Sequence, residues 1–457
     1  MKNKIFIALT VFIVCFCAFI IPIGGNTAHA NSTLKYWQGV TASGAIVMDG
    51  DVPIVVEKEN LTFDINEFPL QQDYYNGNST NYTSKVTAEY VFYNPSDYEV
   101  RATLAFPYGN LPMYTNNASE LEYGVKINDE TIASQKRHTY NPNFNYDFDY
   151  KVAVAQIQET YKTDEFYTPD MPVYKYSYTV SDLSVGQCVV SFTVNYGSNV
   201  RYFLVNGSFK GETDKMVSYG AWVESDETVT LYVIGMDVEV GTPAFYTNFA
   251  KDAEACNGTL ILDSKEEITF KDLVLSKREG SSSISEIDWY NATIDMLNNG
   301  YDLGANLNDY IMEWYQYELK ISAGERVTNR VVAPLYPSIN ENYNPSKYDY
   351  VYLLSPAQSW ASFGELTINI NTTAYMLKDT LGGFEKVDTG YKKVCNGLPE
   401  EELEFTLCEE KRPKRIINWS YYLLIIIPVS IVVAIIALIV VIVVVVKKKR
   451  RKKRGVK

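Results

Sequence analysis

Histidine is almost absent from this sequence, which holds two in 457 residues. His29 lies in an N-terminal leader described below, so His138 is the one histidine that an exported chain keeps. Ser-His-Asp and Cys-His catalytic sites depend on an imidazole base, and many zinc sites depend on several imidazole ligands. We therefore expect His138 to be a satisfied or solvated residue, and we expect no histidine-based zinc site.

The sequence motifs of several enzyme classes are also missing. The chain has no Gly-x-Ser-x-Gly nucleophile elbow, no phosphate-binding P-loop, no dinucleotide fingerprint and no EF-hand loop. A glycosidase needs only two suitably spaced carboxylates, however, and the chain has 55 acidic residues. We predict a protein that is not an enzyme and needs no cofactor, with a carboxylate-pair hydrolase as the exception.

Cysteine is scarce, with six residues in the chain, of which two lie in the leader. An even number of cysteines in an exported chain indicates disulfides, and four cysteines allow three pairings. The short separation of Cys395 and Cys408 favours a bond between them, which leaves Cys188 to pair with Cys256. Free thiols are the alternative if the exterior is not oxidising.

Positive charge is in short supply outside the two ends of the chain. The net charge is −14, but residues 447–457 contribute nine positive charges and the leader two, so residues 31–446 carry −25. Nucleic-acid binding needs clustered Lys and Arg against the phosphates, so this acidic segment is a poor candidate for that function. The negative charge favours solubility through self-repulsion, and cation binding is the alternative interpretation.

One long apolar run is present, and it predicts a membrane span. Leu423–Val446 contains no charged residue. At 1.5 Å per residue it makes a helix about 36 Å long, which is enough to cross a bilayer. Basic flanks stay in the cytoplasm, and the tail after this run is strongly basic. We therefore predict a single-pass protein with its transmembrane helix and entry at 416–446, a cytoplasmic tail at 447–457 and an N-terminal ectodomain outside.

The N-terminus predicts export. Lys2 and Lys4 precede an apolar stretch at 5–23, and Ala-His-Ala at 28–30 is a cleavage sequence of small residues. These features are typical of a secretory signal peptide at residues 1–30. An uncleaved anchor is the alternative, because the apolar stretch is long enough to span. The predicted location is the cell membrane, with the ectodomain facing outward.

Period-two alternation of apolar side chains dominates the ectodomain and predicts β-strands. Residues 84–93 and 98–106 both show it, and the sequence Asn-Pro-Ser-Asp at 94–97 between them is typical of a turn. We therefore predict a β-hairpin over these residues. Strands with one apolar face need a second layer, and a β-sandwich is the natural closure.

Later parts of the ectodomain predict further strands and one helix. Residues 268–275 are read as a strand because their apolar residues alternate. Ser285 is a typical helix cap, the apolar spacing after it is helical, and Asn299-Gly300 is a typical helix end. The predicted helix therefore begins after Ser285 and ends near residue 299.

We predict a mainly β fold with two or three β-sandwich-like extracellular domains and one short helix, followed by the transmembrane helix. Residues 31–200 are the predicted N-terminal β domain, and residues 201–280 a middle β segment. Residues 281–410 are the predicted membrane-proximal β domain, which includes the helix.

Two stretches resemble secreted bacterial β-rich domains of unknown function. Residues 86–107 (VTAEYVFYNPSDYEVRATLAFP) are similar to a hairpin ending in Phe-Pro near the start of those domains. Residues 350–366 are similar to their later Trp…Phe segment, here Trp360 and Phe363. The resemblance implies a secreted β-rich fold. It implies no activity, because that family has none assigned.

Residues 139–150 (TYNPNFNYDFDY) are the predicted ligand-binding segment. Aromatic side chains alternate there with Asn and Asp, and such mixtures bind sugars and peptides because tyrosine adds contact area at low entropic cost. Its two aspartates are also a weak candidate for calcium. The alternative is a loop or edge strand with no binding role. The predicted ligand-binding residues are Tyr140, Tyr146, Asp147, Asp149 and Tyr150.

Together these features predict a membrane-anchored cell-surface protein whose acidic, β-rich ectodomain binds a ligand or polymer or serves adhesion. The alternative is a structural partner of a membrane complex, and a carboxylate-pair hydrolase comes third. The expected partners are membrane lipids, through the transmembrane helix and the basic tail, and a cell-wall polymer, a glycan or a membrane protein. Nucleic acid is not an expected partner.

Overall fold

The computed structural model describes residues 42–69, 84–109, 124–141, 150–195, 197, 199–212, 215–238, 240–278, 283–416 and 440–446. The chain divides into two compact units. Residues 137–312 form one of them, which we call the inserted unit because the chain of the other unit runs before and after it. The other, the split unit, is described over parts of 42–136 and over 313–416. The predicted domain boundaries at residues 200 and 280 both fall inside the inserted unit.

The helices and strands follow the chain in this order. The split unit begins with β1 (Ala42–Ser43), β2 (Ile46–Val47), β3 (Val52–Ile65), β4 (Ser84–Tyr93), β5 (Val100–Gly109), β6 (Gly124–Ile127) and β7 (Glu130–Thr131). Strand β8 (Gln135–Tyr140) leads into the inserted unit, which contains α1 (Tyr150–Ala155), β9 (Pro172–Ser181), β10 (Cys188–Asn195), β11 (Arg201–Leu204), β12 (Gly207–Glu212), β13 (Met216–Val223), β14 (Thr228–Ile234), β15 (Ala244–Tyr246), β16 (Ala255–Cys256), β17 (Thr259–Thr269), α2 (Phe270–Ser276), α3 (Glu286–Asn298) and a 3₁₀ turn (Leu307–Tyr310).

Strand β18 (Ile311–Ile321) leads back into the split unit. After it come β19 (Arg326–Leu335), β20 (Ser338–Asn340), β21 (Tyr343–Asn344), β22 (Lys347–Leu353), a 3₁₀ turn (Ser355–Ser359), β23 (Trp360–Asn371), β24 (Tyr375–Asp379), β25 (Glu385–Val387), β26 (Gly390–Asn396), β27 (Leu403–Cys408) and β28 (Lys414–Arg415).

The split unit is a β-sandwich. Its largest sheet has the order β25-β26-β23-β3-β4-β19-β6-β7, and the two sheets that share its core are β2-β5-β18-β8 and β1-β22-β27-β24, with β20 beside β22. The Phe63 ring meets the rings of Tyr352 and Phe405 edge to face, with centroids 5.6 and 5.3 Å apart. Burial of these alternate apolar side chains stabilises the pairing of the layers, at about 25 cal/mol per Å².

The inserted unit is a second β-sandwich with an added helical layer. Sheets β12-β13-β10-β15-β16 and β11-β14-β9-β17 share one apolar core. A second apolar cluster lies on the outer face of the β9-containing sheet and includes side chains of α2, α3 and residues 303–311. Leu231 of β14 belongs to the sandwich core, whereas its neighbour Tyr232 belongs to the outer cluster. The two sandwiches confirm the predicted mainly β fold.

The predicted hairpin over residues 84–106 is wrong. β4 and β5 are strands, but β4 pairs with β3 and β19, whereas β5 pairs with β2 and β18 in another sheet. The link between β4 and β5 therefore crosses from one layer of the sandwich to the other. Alternation shows which face of a strand is buried, but it does not show which strand is its hydrogen-bonding partner.

Asn94 holds this crossing in place. Its side chain is fully buried, and its amide donates hydrogen bonds to the carbonyls of Tyr98, Ile321 and Ser322 at 2.8, 3.1 and 3.2 Å. Its side-chain oxygen accepts from the Ser96 N–H at 3.0 Å. The β18–β19 link crosses between the same two sheets, so a single amide ties two stacked crossings together.

Helix α3 confirms the predicted helix. The Ser285 hydroxyl accepts a hydrogen bond from the Asp288 N–H at 3.1 Å, and Gly300 follows the helix with φ +87°. The predicted strand at 268–275 is wrong beyond residue 269, where α2 begins. Thr269 and Asp272 form a reciprocal capping box, and this local cap starts a helix despite the apolar alternation.

The predicted membrane span lies mostly outside the described residues, which include only its last part. Residues 440–446 are helical. Across the described ranges, no helix is long and apolar enough to cross a membrane. The signal peptide and the basic tail also lie outside them, so the export and membrane assignments stay predictions.

Glu59 is a carboxyl group buried in the core of the split unit. Its side chain is 2% exposed, and it lies opposite Tyr90 in the β3–β4 ladder and near the Tyr352 hydroxyl. Burial raises the pKa of Glu59 to about 7, although hydrogen bonds with these two tyrosines act in the opposite direction. The Tyr90 hydroxyl is itself held by the Ala45 N–H at 3.2 Å. Burial therefore disfavours the ionised form of this carboxyl.

We predict that Asn94→Ala lowers the free energy of unfolding by about 2–4 kcal/mol, because buried carbonyls lose their donors. The measurement is the urea midpoint of the full chain followed by tryptophan fluorescence. Ser96→Ala is the matched control, since Ser96 contributes its backbone N–H to Asn94. Equal midpoints for the Asn94 variant and the wild type would contradict the proposed role of this amide.

We predict that stability depends on pH through Glu59. Its folded-state pKa is raised, so its contribution is complete below the unfolded value near 4.5 and is lost as the pH rises through about 7. Between pH 5 and pH 8 the loss is on the order of 3 kcal/mol, and Glu59→Gln should remove it. Urea unfolding across this range measures the effect. Glu57→Gln on the same strand should keep the wild-type slope, because the Arg326 ion pair lowers the pKa of Glu57 and its titration falls below this pH range.

Candidate functional site

A pocket of about 260 Å³ opens in the helical layer of the inserted unit. Three parts of the chain line it: the end of β11 with the turn after it, the neighbouring helices α2 and α3, and residues 303–308, which lead into the 3₁₀ turn Leu307–Tyr310. Their lining residues are Phe203, Val205, Asn206, Lys277, Trp289 and residues 303–308. None of these residues is an acid, although the chain as a whole is strongly acidic.

The inner wall of the pocket is apolar. Trp289 is 4% exposed, and its indole N–H donates to the Val274 carbonyl at 3.1 Å, so its ring can offer a ligand only carbon surface. Phe203, Leu303 and Leu307 are also buried and belong to the same apolar cluster. This wall favours a ligand with an apolar part.

Lys277 is the one charged residue that lines the pocket. It lies at the C-terminal end of α2, and its ammonium nitrogen is 4.8 Å from the centre of the Phe203 ring. Within the described part of the chain, no carboxylate comes within ion-pair distance of this ammonium. Partial burial lowers the pKa of Lys277, because a desolvated ammonium is disfavoured.

The pocket mouth carries asparagine side chains. Asn206 adopts the left-handed conformation with φ +55°, which asparagine tolerates better than most residues. The Asn308 amide donates to the Asn306 side-chain oxygen at 3.2 Å. A Cβ on Gly304 would lie 3.0 Å from Asp302 Oδ1 and 3.5 Å from Phe203 Cε2, so a larger side chain at this position would crowd both residues.

A buried ion pair positions the helix that carries Trp289. Arg137 and Asp288 are each 2% exposed, and an Arg137 Nη2 donates to Asp288 Oδ1 at 2.9 Å. The His138 backbone N–H donates to the other carboxylate oxygen at 2.9 Å. Asp288 immediately precedes Trp289 in α3, so this contact fixes where the indole ring lies.

The charge of Asp288 is maintained despite its burial. Burial alone would raise the pKa of Asp288, but hydrogen bonds from His138 and Arg137 outweigh it and hold that pKa below its ordinary value. Arg137 also donates to the Gln158 carbonyl at 2.6 Å and to the Glu159 carboxylate. His138 is 3% exposed, so the structure assigns it to this buried network and not to the surface.

The predicted ligand-binding residues have different locations. Tyr140 is 2% exposed and packs near Tyr310, with ring centroids 6.0 Å apart, in the apolar cluster behind the pocket wall. Tyr146, Asp147 and Asp149 lie outside the described residues. Only the backbone of Tyr150 is described, and it begins α1. Binding by residues 139–150 therefore stays a prediction, and Tyr140 contributes to the core.

The predicted disulfides are absent from the structure, which shows all four described cysteines as free thiols. Cys395 lies in β26 and Cys408 in β27, which belong to different sheets, so a short sequence separation does not bring them together. Cys188 and Cys256 do meet in the core of the inserted unit. Burial and the neighbouring Cys256 thiol raise the pKa of Cys188 to about 11, which disfavours a reactive thiolate.

The pocket residues Lys277 and Trp289 were not predicted from the sequence. One signal was available for Lys277: Thr269 and Asp272 have the spacing of a capping box, which predicts a helix ending near Lys277. No sequence signal shows that Trp289 and Phe203 share one cavity. Across the described residues, no group of three or more His, Cys, Asp or Glu is arranged to hold a metal.

No family model and no curated protein matches this chain. A crystal structure described as "a putative nutrient binding protein" from Legionella pneumophila subsp. pneumophila str. Philadelphia 1 aligns with 81% of this chain and 71% of that chain, at 10% identity and a TM-score of 0.33. A similarity this low carries no argument about what this chain binds.

Proposed function

We propose that this chain is a membrane-anchored cell-surface protein whose inserted unit binds a small organic ligand in the pocket beside Lys277. The predicted signal peptide at 1–30, the predicted span Leu423–Val446 and the basic tail support the location. The pocket geometry supports ligand binding, since it combines a preformed apolar wall with a few polar groups at its mouth.

The observation that carries this proposal is the Lys277 ammonium, which lies over the Phe203 ring but has no carboxylate within ion-pair distance among the described residues. Partly buried charges in proteins usually have an opposite charge or hydrogen-bond acceptors nearby, because desolvation of an unpaired charge is unfavourable. Lys277 lacks a carboxylate partner among the described residues and instead borders an open cavity. Groups with a perturbed pKa in a cleft are typical of functional sites. A ligand would supply the missing interaction.

This pocket does not support the hydrolase alternative. Carboxylate-pair hydrolysis needs two acids on either side of the scissile bond, and the residues that line the pocket include no acid. A role as a structural partner of a membrane complex does not require a cavity. The ligand-binding proposal accounts for the cavity and for a lysine that has no carboxylate partner in the described part of the chain, and the structural alternative accounts for neither.

We predict that filling the pocket abolishes ligand binding. The measurement is thermal unfolding of the purified full chain with sugars, amino acids, nucleosides and small carboxylic acids at 10 mM. A ligand with a Kd of about 1 mM raises the free energy of unfolding by about 1.4 kcal/mol, which is a Tm shift of about 2–4 °C. Gly304→Val should remove the shift, because its side chain would crowd Phe203 in the pocket lining and displace the Asp302 carboxylate beside it.

Gly124→Val is the control for this experiment. Gly124 lies in β6 of the split unit, and a Cβ there meets no atom within 4 Å. Its variant should keep every ligand-induced shift of the wild type. If the ligand-induced Tm shift persists in the Gly304 variant, the ligand binds outside the pocket and the proposal is contradicted.

A second candidate function is polymer binding by the outer face of sheet β12-β13-β10-β15-β16. Trp222 is 44% exposed on this face, and its ring lies 5.9 Å from that of Phe249. The Lys210 ammonium lies 3.1 Å from the centre of the Tyr246 ring on the same sheet. Flat aromatic rings stack against sugar rings, and a lysine adds attraction for anionic groups, which favours an acidic glycan or wall polymer.

We predict that Trp222→Ala weakens binding to acidic glycans and wall polymers at least tenfold, because truncation of an exposed tryptophan anchor removes about 2 kcal/mol of binding energy. An array probed with the full chain measures this. Phe209→Ala is the control: Phe209 is 58% exposed in the same sheet, but it pairs with Tyr219, whose ring contacts the sandwich core. Unchanged binding by the Trp222 variant would exclude this face.

A further inference from the structure

We infer that the ligand of the Lys277 pocket is a small monocarboxylate with a flat or branched apolar body. This inference rests on the proposed function and specifies the chemistry of the same site. It depends on three features of the pocket: its charge, the hydrogen-bonding state of the groups near the ammonium, and the composition of its wall.

The charge of the lining favours a single negative charge on the ligand. Lys277 supplies one positive charge, and no other residue that lines the pocket carries a charge. A monocarboxylate would neutralise it. A phosphate monoester carries nearly two negative charges at neutral pH, and one of them would remain uncompensated in a partly desolvated cavity.

The ammonium is not needed to complete the end of helix α2. The Val274 carbonyl already accepts the Trp289 indole N–H and the Lys277 backbone N–H, each at 3.1 Å. The Leu275 carbonyl accepts the Arg278 N–H at 3.1 Å. Because backbone and indole N–H groups already donate to these carbonyls, the Lys277 ammonium is not needed to cap the helix. A carboxylate in the pocket could therefore accept hydrogen bonds from the three N–H donors of the ammonium.

The wall favours an apolar body attached to the carboxylate. The rings of Trp289 and Phe203 and the side chain of Leu307 present carbon to the cavity, since the indole N–H is engaged with Val274. The volume of about 260 Å³ is below the roughly 300–1,000 Å³ of pockets for drug-sized ligands. Arylacetic and branched-chain acids have the required size and shape.

The lowered pKa of Lys277 agrees with this chemistry. A bound carboxylate stabilises the charged ammonium, so binding of the acid should raise that pKa toward its ordinary value. Carboxylate binding should therefore weaken at alkaline pH, where the free protein loses the ammonium proton. A neutral ligand of the same shape would show no such dependence.

The test uses fluorine NMR of 4-fluorophenylacetate and its uncharged amide, 4-fluorophenylacetamide, each titrated with the purified full chain. The acid should bind at least tenfold more tightly than the amide. Lys277→Met should reduce this preference to less than about twofold, and Lys277→Arg should retain most of it because it keeps the positive charge. Circular dichroism and the thermal midpoint establish that each variant is folded.

Lys271→Met is the matched control on the same helix. The Lys271 ammonium lies 5.4 Å from the Tyr161 ring and outside the pocket lining, so this variant should keep the full preference for the acid. An equal loss in both lysine variants would show a nonspecific charge effect and overturn the inference.

The remaining outcomes separate this inference from the proposed function. Equal binding of acid and amide by the wild type, abolished by Gly304→Val, would keep the ligand pocket and overturn its preference for a carboxylate. Failure of the wild type to bind the acid at 10 mM would also overturn the carboxylate inference. If every ligand-induced thermal shift survives Gly304→Val, the proposed function itself fails.

Discussion

The contact between Arg137 and Asp288 determines where the helical layer of the inserted unit is placed. Arg137 is the first residue of that unit, and its guanidinium joins the Asp288 carboxylate to the Gln158 carbonyl. Removal of one member of a buried ion pair costs about 3–5 kcal/mol, because the remaining charge is left without a partner. Helix α3 is thereby held at its N-terminal end, and Trp289, the next residue, becomes a fixed wall of the pocket.

Polar groups have an equally specific role in the split unit. Its sandwich is stabilised by apolar burial, which is not directional and does not select one arrangement of crossings. Asn94 selects the observed arrangement, because its amide donates hydrogen bonds to carbonyls of two chain segments that lie far apart in sequence. Glu59 is the opposite case, a buried carboxyl whose ionised form is disfavoured and which makes the core sensitive to pH. The two units thus share a pattern in which a few buried polar groups determine geometry within an apolar core.

The charge of the pocket differs from the charge of the chain. Acidic residues outnumber basic ones by 55 to 41, yet the lining of the cavity contains a lysine and no acid. Across a small site such a local reversal attracts anions. The net negative charge of the chain weakens long-range attraction of anions, so selectivity depends on short-range contacts inside the pocket. The contacts that matter for selectivity are therefore those of the ammonium together with those of the aromatic wall.

The sequence by itself determined the local elements of this protein. The strand at 84–93, the helix capped by Ser285 and the mainly β class follow from alternation and capping, which involve residues only a few positions apart. Only the tertiary structure decided the partners of the strands, since β3 pairs in parallel with β23, about 300 residues later. It also decided the burial of Tyr140 and the meeting of Lys277, Trp289 and Phe203 around one cavity. The physical reason is that periodicity identifies the buried face of an element, whereas long-range packing selects the element that covers it.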